Sequence, residues 1–339
     1  MKILPDGVYC NLSPEAYFAQ DRLGSTDLTV LHKRPADWFY SSRHNPDRPD
    51  RVASDEMDFG SALHLLTLEG EEAFRAGTVR CAFDDFRTKE ARVWRDEQRL
   101  AGKIIMTEDA ERRVRHMAAL ILNHPEIGEA LSGGLSEVSV LFTHSTGVRL
   151  RARFDKLLPR FVADLKSFGG DAKGRDTRAQ CLGLVAQRDM DVQRYLYFLA
   201  RQAMDGLINT GAIYGANPEQ AEWLKKVASV DDWAWVWLFF RRRDDAKGHA
   251  PIVLPVVVQH FDVTFDTGRR KVETALKNYE AFTARFGFET PWAVIEPTWQ
   301  PEHHDFPSWL SDVAEPVEFP AHQDKAAWPS QPSKTAPSN

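Results

Sequence analysis

The chain predicts an α/β protein, a mixed β-sheet flanked by helices. Three observations carry that expectation. Residues 137–142, 148–154 and 161–165 are successive short runs rich in Val, Leu and Phe, separated by turn residues. Two further runs of this kind occupy 233–240 and 252–263. Segments with 3.6-residue apolar spacing stand before and after the strands.

In chain order, Ser13 ahead of Pro14 marks a helix start. Ser25 or Thr26 is the expected cap of a second helix carrying Leu28, Val30 and Leu31. Residues 45–51 are polar with two prolines and read as a loop. Phe59, Ala62, Leu63 and Leu66 give 57–68 helical spacing, whereas 70–103 mix charges and aromatics without a clear period. Ala110, Val114, Met117 and Ile121 share one face of a helix over 107–122. Beyond the first three strands, helices are expected over 177–187, 191–204 and 268–285. From about Val313 the chain is rich in Pro, Ala, Ser and Lys and reads as a disordered tail. The expected organisation is a helical N-terminal segment (1–50) packed on a core domain (51–312), followed by that tail (313–339). No internal repeat stands out.

Bulk properties exclude several classes. With 43% hydrophobic and 27% charged residues the composition is that of an ordinary globular chain. No run of eighteen apolar residues offers a membrane span. Residues 1–5 lack the apolar core of a secretory signal, so a cytoplasmic location is expected. Cys10, Cys81 and Cys181 are isolated and odd in number, against a disulfide framework, a zinc ribbon or a cysteine-bound iron–sulfur cluster. A net charge of −6 does not advertise nucleic-acid binding. The distribution says more: Arg149, Arg151, Arg153, Lys156, Arg160 and Lys166 crowd one stretch, and residues 241–243 and 269–271 form two further basic clusters with scope for phosphate contact.

The stretch from Arg151 to Lys166 concentrates the chemistry. Read as a β-hairpin turning at Pro159 and Arg160, it brings Asp155 opposite Asp164 at about 5 Å. Asp164 and Lys166, two apart on a strand, share a face. Two carboxylates and an ammonium at one place suit Mg²⁺, which takes hard oxygen ligands, with the lysine at the activated water or phosphate. Two other elements hold unusual residues: His64 sits inside an apolar helix, and Gln193 and Tyr197, four apart, lie on one helical face. The Trp233–Trp237 alternation offers either base-stacking platforms or, more simply, a strand with one buried face. A second metal site at Glu302, His303, His304 and Asp305 is weaker than a solvated loop.

Taken in order, His64 within Gly-x-x-x-His-x-x-x-Leu-Glu, then Glu137, Asp155, Asp164-Leu-Lys166 and Gln193-x-x-x-Tyr197, the pattern resembles the RecB-like branch of the PD-(D/E)XK nuclease superfamily. It is most similar to the RecE-type (exodeoxyribonuclease VIII-like) exonucleases. The segments Gly7–Tyr17 and Ser25–Phe39 are similar to that family's opening, and the strands near 235–261 to its closing part, so the likeness spans roughly residues 7–295. It implies a PD-(D/E)XK core, with His64, Asp155, Asp164 and the carbonyl of Leu165 binding a divalent metal. Lys166 would orient or activate the attacking water. Gln193 and Tyr197 would shape the site and touch the DNA backbone, beside Arg151 and Arg153. Glu137 falls at an acidic position serving a second metal or supporting the first.

The resemblance implies a Mg²⁺-dependent exonuclease on double-stranded DNA ends, resecting 5′→3′ to leave 3′ overhangs. Because imidazole nitrogen suits softer ions, Mn²⁺ should also support activity. Family members form ring-shaped homo-oligomers and work beside a single-strand annealing recombinase. Alternatives are a structure-selective or single-strand endonuclease of the same superfamily, or a non-catalytic DNA-binding subunit. The cysteines of iron–sulfur relatives and any helicase motifs are missing.

Overall fold

A computed structural model describes residues 3–49, 55–83, 85–169, 176–241, 250–259 and 262–294, with 298, 300 and 305. Residues 1–293 group as one unit, which holds every feature discussed below. The elements run β1 (Gly7–Tyr9), α1 (Pro14–Phe18), α2 (Ser25–Lys33), α3 (Pro35–Ser41), α4 (Asp55–His64), a π-helical turn (Leu65–Glu69), α5 (Glu71–Gly77), β2 (Thr78–Arg80), α6 (Lys89–Leu100), β3 (Ile104–Met106), α7 (Glu108–Leu122) and α8 (Gly128–Ser132). They continue with β4 (Leu135–Thr143), β5 (Arg149–Leu157), β6 (Phe161–Phe168), α9 (Thr177–Gln187), α10 (Met190–Asn209), β7 (Ile213–Tyr214), α11 (Pro218–Ala228), β8 (Ala234–Arg241), β9 (Val253–Val258) and α12 (Val263–Phe286).

Seven strands form one mixed sheet in the order β7-β1-β4-β5-β6-β8-β9. The β1–β7 and β6–β8 pairs are parallel, and the other four are antiparallel. The α/β expectation holds, with helices on both faces. The strand β8 shows why: Trp235, Trp237 and Phe239 enter one apolar cluster with residues of α2, α3, α10 and α12, whereas Val236, Leu238 and Phe240 enter another with residues of α4 and α7. Both faces of a central strand are buried, so its sequence is continuously apolar rather than alternating with polar residues. Trp235 and Trp237 are 1% and 0% exposed. They belong to the core and offer no stacking platform.

Several expectations shift. The N-terminal segment is not only helical, because β1 joins the main sheet between β4 and β7. Helix α2 is capped at Gly24, whose N–H donates to Asp27 Oδ2 at 2.8 Å, and not by the side chain of Ser25 or Thr26. The run 252–263 is strand only to Val258. Asp262 accepts from the N–H groups of Thr264 and Phe265 and starts α12 five residues before the expected position. Helices α5 and α6 with strand β2 occupy the stretch that showed no period, and β3 follows directly after it. Ala91 alone is buried in α6, so there was little apolar spacing to see. The tail from Val313, the residues Glu302 to His304, and Arg242 with Arg243 lie outside the described residues.

The middle of the sheet has a gap. The β5–β6 ladder holds only Lys156↔Ala163 and Leu157↔Val162. Further along, β5 leaves β6, and Leu23 of the N-terminal segment bonds instead to Arg149 and Arg151 through backbone contacts of 2.9 and 3.0 Å. The candidate site lies where the strands part.

Candidate active site

His64 ends α4, directly before the π-helical turn that Gly70 N–H closes on the Leu65 carbonyl at 2.9 Å. Single π turns inside helices recur at functional sites because they redirect side chains. Here His64 Nδ1 comes 3.6 Å from Asp155 Oδ2 on β5. Glu69 closes the turn and is exposed at the rim.

Glu137 sits in β4 between the pairs Ser136↔Lys156 and Val138↔Phe154, so the register sets it against Asp155. Its backbone is left-handed, with φ +55°. For a non-glycine residue this costs roughly 1–3 kcal/mol, and such outliers gather at functional sites. One ligand atom each from His64, Glu137 and Asp155 lies within 4.8 Å of the others. That spacing is suited to a single cation.

Asp164 lies across the gap and is 1% exposed. Gln193 Nε2 of α10 donates to its Oδ1 at 2.7 Å. Lys166 Nζ stands 2.6 Å from Oδ2 and pairs with it as an ammonium with a carboxylate. The register keeps Asp155 across from Asp164 as expected, but the ladder stops one pair short of them, and a side-chain contact takes over. Asp155 Oδ2 accepts the Leu165 N–H at 3.0 Å, doing for β6 what a strand carbonyl would have done.

Crowded acids repel each other. Burial, then the charge of Asp155, raises Glu137 to about 8, opposed by Arg153 and assisted by Glu69 and Asp164. Burial also raises Asp164 to about 6, with Lys166 lowering it and Asp155 raising it. A divalent cation among these groups would offset both effects. The donor set of two carboxylates and one imidazole fits Mg²⁺ or Mn²⁺.

The expected residues distribute unevenly. His64 and Asp155 meet, and Glu137 completes their cluster where Asp164 was expected. Asp164, Lys166 and Gln193 form an adjoining group. Leu165 touches the cluster through its N–H, which Asp155 accepts. Tyr197 is 7% exposed, edge-on to Phe154 and Trp235 with centroids at 5.1 and 5.6 Å. Its ring belongs to the core, and burial holds its phenol far above the usual range.

Arg151 and Arg153 turn inward. Arg151 donates to the carbonyls of Phe18 and Gln20 and pairs with Asp27 at 3.4 Å. Arg153 bonds Ser139 Oγ and the Leu12 carbonyl, lies 3.8 Å from Glu137 and stacks over Tyr17. Both anchor the N-terminal segment to β5, and both also line the cleft that leads to Asp155. The 269–271 cluster is likewise engaged: Arg269 pairs with Glu273, Arg270 Nε donates to the Asp266 carbonyl, and Lys271 pairs with Asp189 and Asp191. A cleft of about 610 Å³ runs from the α1–α2 connection to Asp155 and Tyr197, lined also by Arg43 and Arg48.

Sequence reasoning gave Glu69 no role and could not see the backbone of Glu137, which has no signal in residue type. No family model matches the chain, and no curated protein matches it. Among the described residues no helix is long and apolar enough to cross a membrane.

Proposed function

We propose that the protein is a divalent-metal-dependent deoxyribonuclease with a PD-(D/E)XK-type core, degrading duplex DNA from its ends. The observation that supports this most is the meeting of His64, Glu137 and Asp155 within 4.8 Å, beside a buried Asp164 paired to Lys166. In this reading His64, Glu137 and Asp155 hold the cation and Asp164 borders it. Held by these residues, a divalent cation would lower the pKa of a bound water and neutralise charge on the reacting phosphate. Lys166, kept at the site by Asp164, adds a cation that cannot compete for metal and can donate a hydrogen bond from Nζ to a phosphate oxygen. Gln193 fixes the Asp164 carboxylate through Oδ1, and the carboxylate in turn holds the ammonium. Resection 5′→3′, a ring-shaped homo-oligomer and a single-strand annealing partner complete the proposal, by resemblance.

Linear duplex labelled separately at its 5′ and 3′ ends, incubated with Mg²⁺ or Mn²⁺ and then with EDTA, tests the reaction. Label should be released with either metal and retained with EDTA, and closed circular DNA should stay intact. Degradation that persists in EDTA overturns the metal reading, and cleavage of closed circles makes the enzyme an endonuclease.

The raised Glu137 also predicts a pH dependence. Its folded value of about 8 exceeds the ordinary 4.5. Between these values the folded state holds a proton that the unfolded state has lost, so metal-free stability falls as pH rises through this window. Cation binding must displace that proton and therefore strengthens with pH. The rise in Tm on adding Mn²⁺ should be larger at pH 8 than at pH 6, as scanning calorimetry would show. An equal or smaller rise at pH 8 would remove Glu137 from the metal set.

A further inference from the structure

Behind the acidic cluster runs a short chain of hydrogen bonds. Lys156 Nζ donates to Ser136 Oγ at 3.1 Å, and Ser136 Oγ donates to the Leu68 carbonyl at 2.6 Å. Each of these residues is the sequence neighbour of an acid at the site: Lys156 of Asp155, Ser136 of Glu137, Leu68 of Glu69. The direction of the bonds is forced. An ammonium only donates, so the serine oxygen accepts from it and has its single proton left for the carbonyl.

Stability alone does not explain this arrangement. Lys156 is 4% exposed, and no carboxylate among the described residues pairs with it. A buried ammonium with one hydroxyl acceptor is costly, and an apolar residue of similar volume would serve the core better. The two backbone segments it joins are themselves unfavourable: the π turn that follows His64, and the left-handed Glu137. Such conformations persist only where surrounding contacts enforce them.

We propose that Lys156 and Ser136 are positioning residues, a strut that clamps the π turn to β4 and β5 so that His64, Glu137 and Asp155 converge on one cation. The inference rests on the proposed metal site and adds two residues that touch neither metal nor substrate. Residues that orient metal ligands typically change affinity 10–100-fold when replaced.

The test uses the full chain, with Mn²⁺ alone as probe in titration calorimetry, alongside Tm and hydrogen exchange of the Gly70 amide. Lys156→Met should keep or raise Tm yet bind Mn²⁺ about tenfold more weakly, a combination no purely structural role produces. Ser136→Ala should weaken binding similarly and speed exchange at Gly70, and Ser136→Thr should restore both. Variants that bind as tightly as the wild type overturn the strut alone. Weaker binding with a matching fall in Tm for both variants also overturns it. A wild-type chain that takes up no Mn²⁺ overturns the metal reading and the strut together.

Discussion

Asp164→Asn is expected to lower Mg²⁺-dependent degradation of linear duplex by on the order of 10³-fold while leaving the chain folded. The amide keeps the shape and can still meet Gln193, but it cannot hold Lys166 as an ion pair or present a negative oxygen to a cation. Stability should move the other way. Burial raises Asp164 to about 6 from an ordinary 3.8. Between those values the folded state retains a proton that the unfolded state releases, so the metal-free wild type loses stability as pH rises across the window. The asparagine variant lacks this contribution and should show a smaller fall in Tm from pH 4 to 7. Undiminished digestion by the variant would take Asp164 out of the mechanism, and an identical pH slope would mean its carboxyl ionises normally.

The largest effect on stability is expected at Arg201. The residue is 5% exposed, and its guanidinium donates to the carbonyls of Leu158 and Pro159 in the β5–β6 turn, of Val227 in α11 and of Val230 just beyond it, over the Trp233 ring. Burial lowers it to about 10, which leaves it protonated at neutral pH. Arg201→Met keeps the aliphatic stem but strands buried carbonyls without a donor, at a cost of about 3–5 kcal/mol. Urea unfolding would show the midpoint fall with little change in slope. A loss under about 1 kcal/mol would mean water replaces the guanidinium. Because Arg201 bonds only to backbone carbonyls away from the site carboxylates, the variant's surviving folded fraction should retain metal-dependent activity at low temperature.

How far the sequence could be read depended on which force fixed each element. Core strands and amphipathic helices were visible because burial imposes a period, as at Val114, Met117 and Ile121 of α7. Helix α11 carried its signals in capping, with Asn217 and Gln220 in a reciprocal box ahead of an N-terminal proline, and apolar spacing alone passed over it. The three-residue strand β1 is set by pairing with distant partners and shows nothing local. At the site, residue identity pointed to His64, Asp155, Asp164 and Lys166. It could not show that β5 leaves β6 after two pairs, or that Arg151 and Arg153 face inward to the N-terminal segment. Both follow from tertiary geometry, which overrides any reading of charge along the chain.

The place of β1 in the sheet bears on how the molecule is made. Residues 7–9 are synthesised well before their parallel partner strand β7, yet Tyr9 lies beside Tyr214, and Asn11 reaches the Gly215 carbonyl. Such long-range closure slows assembly and keeps an open strand waiting through most of synthesis. Trimming the first dozen residues would bare the outer edge of β4, the strand that bears Glu137, and invite chains to pair with one another. Residues 7–9 should therefore be kept in any shortened form of the protein.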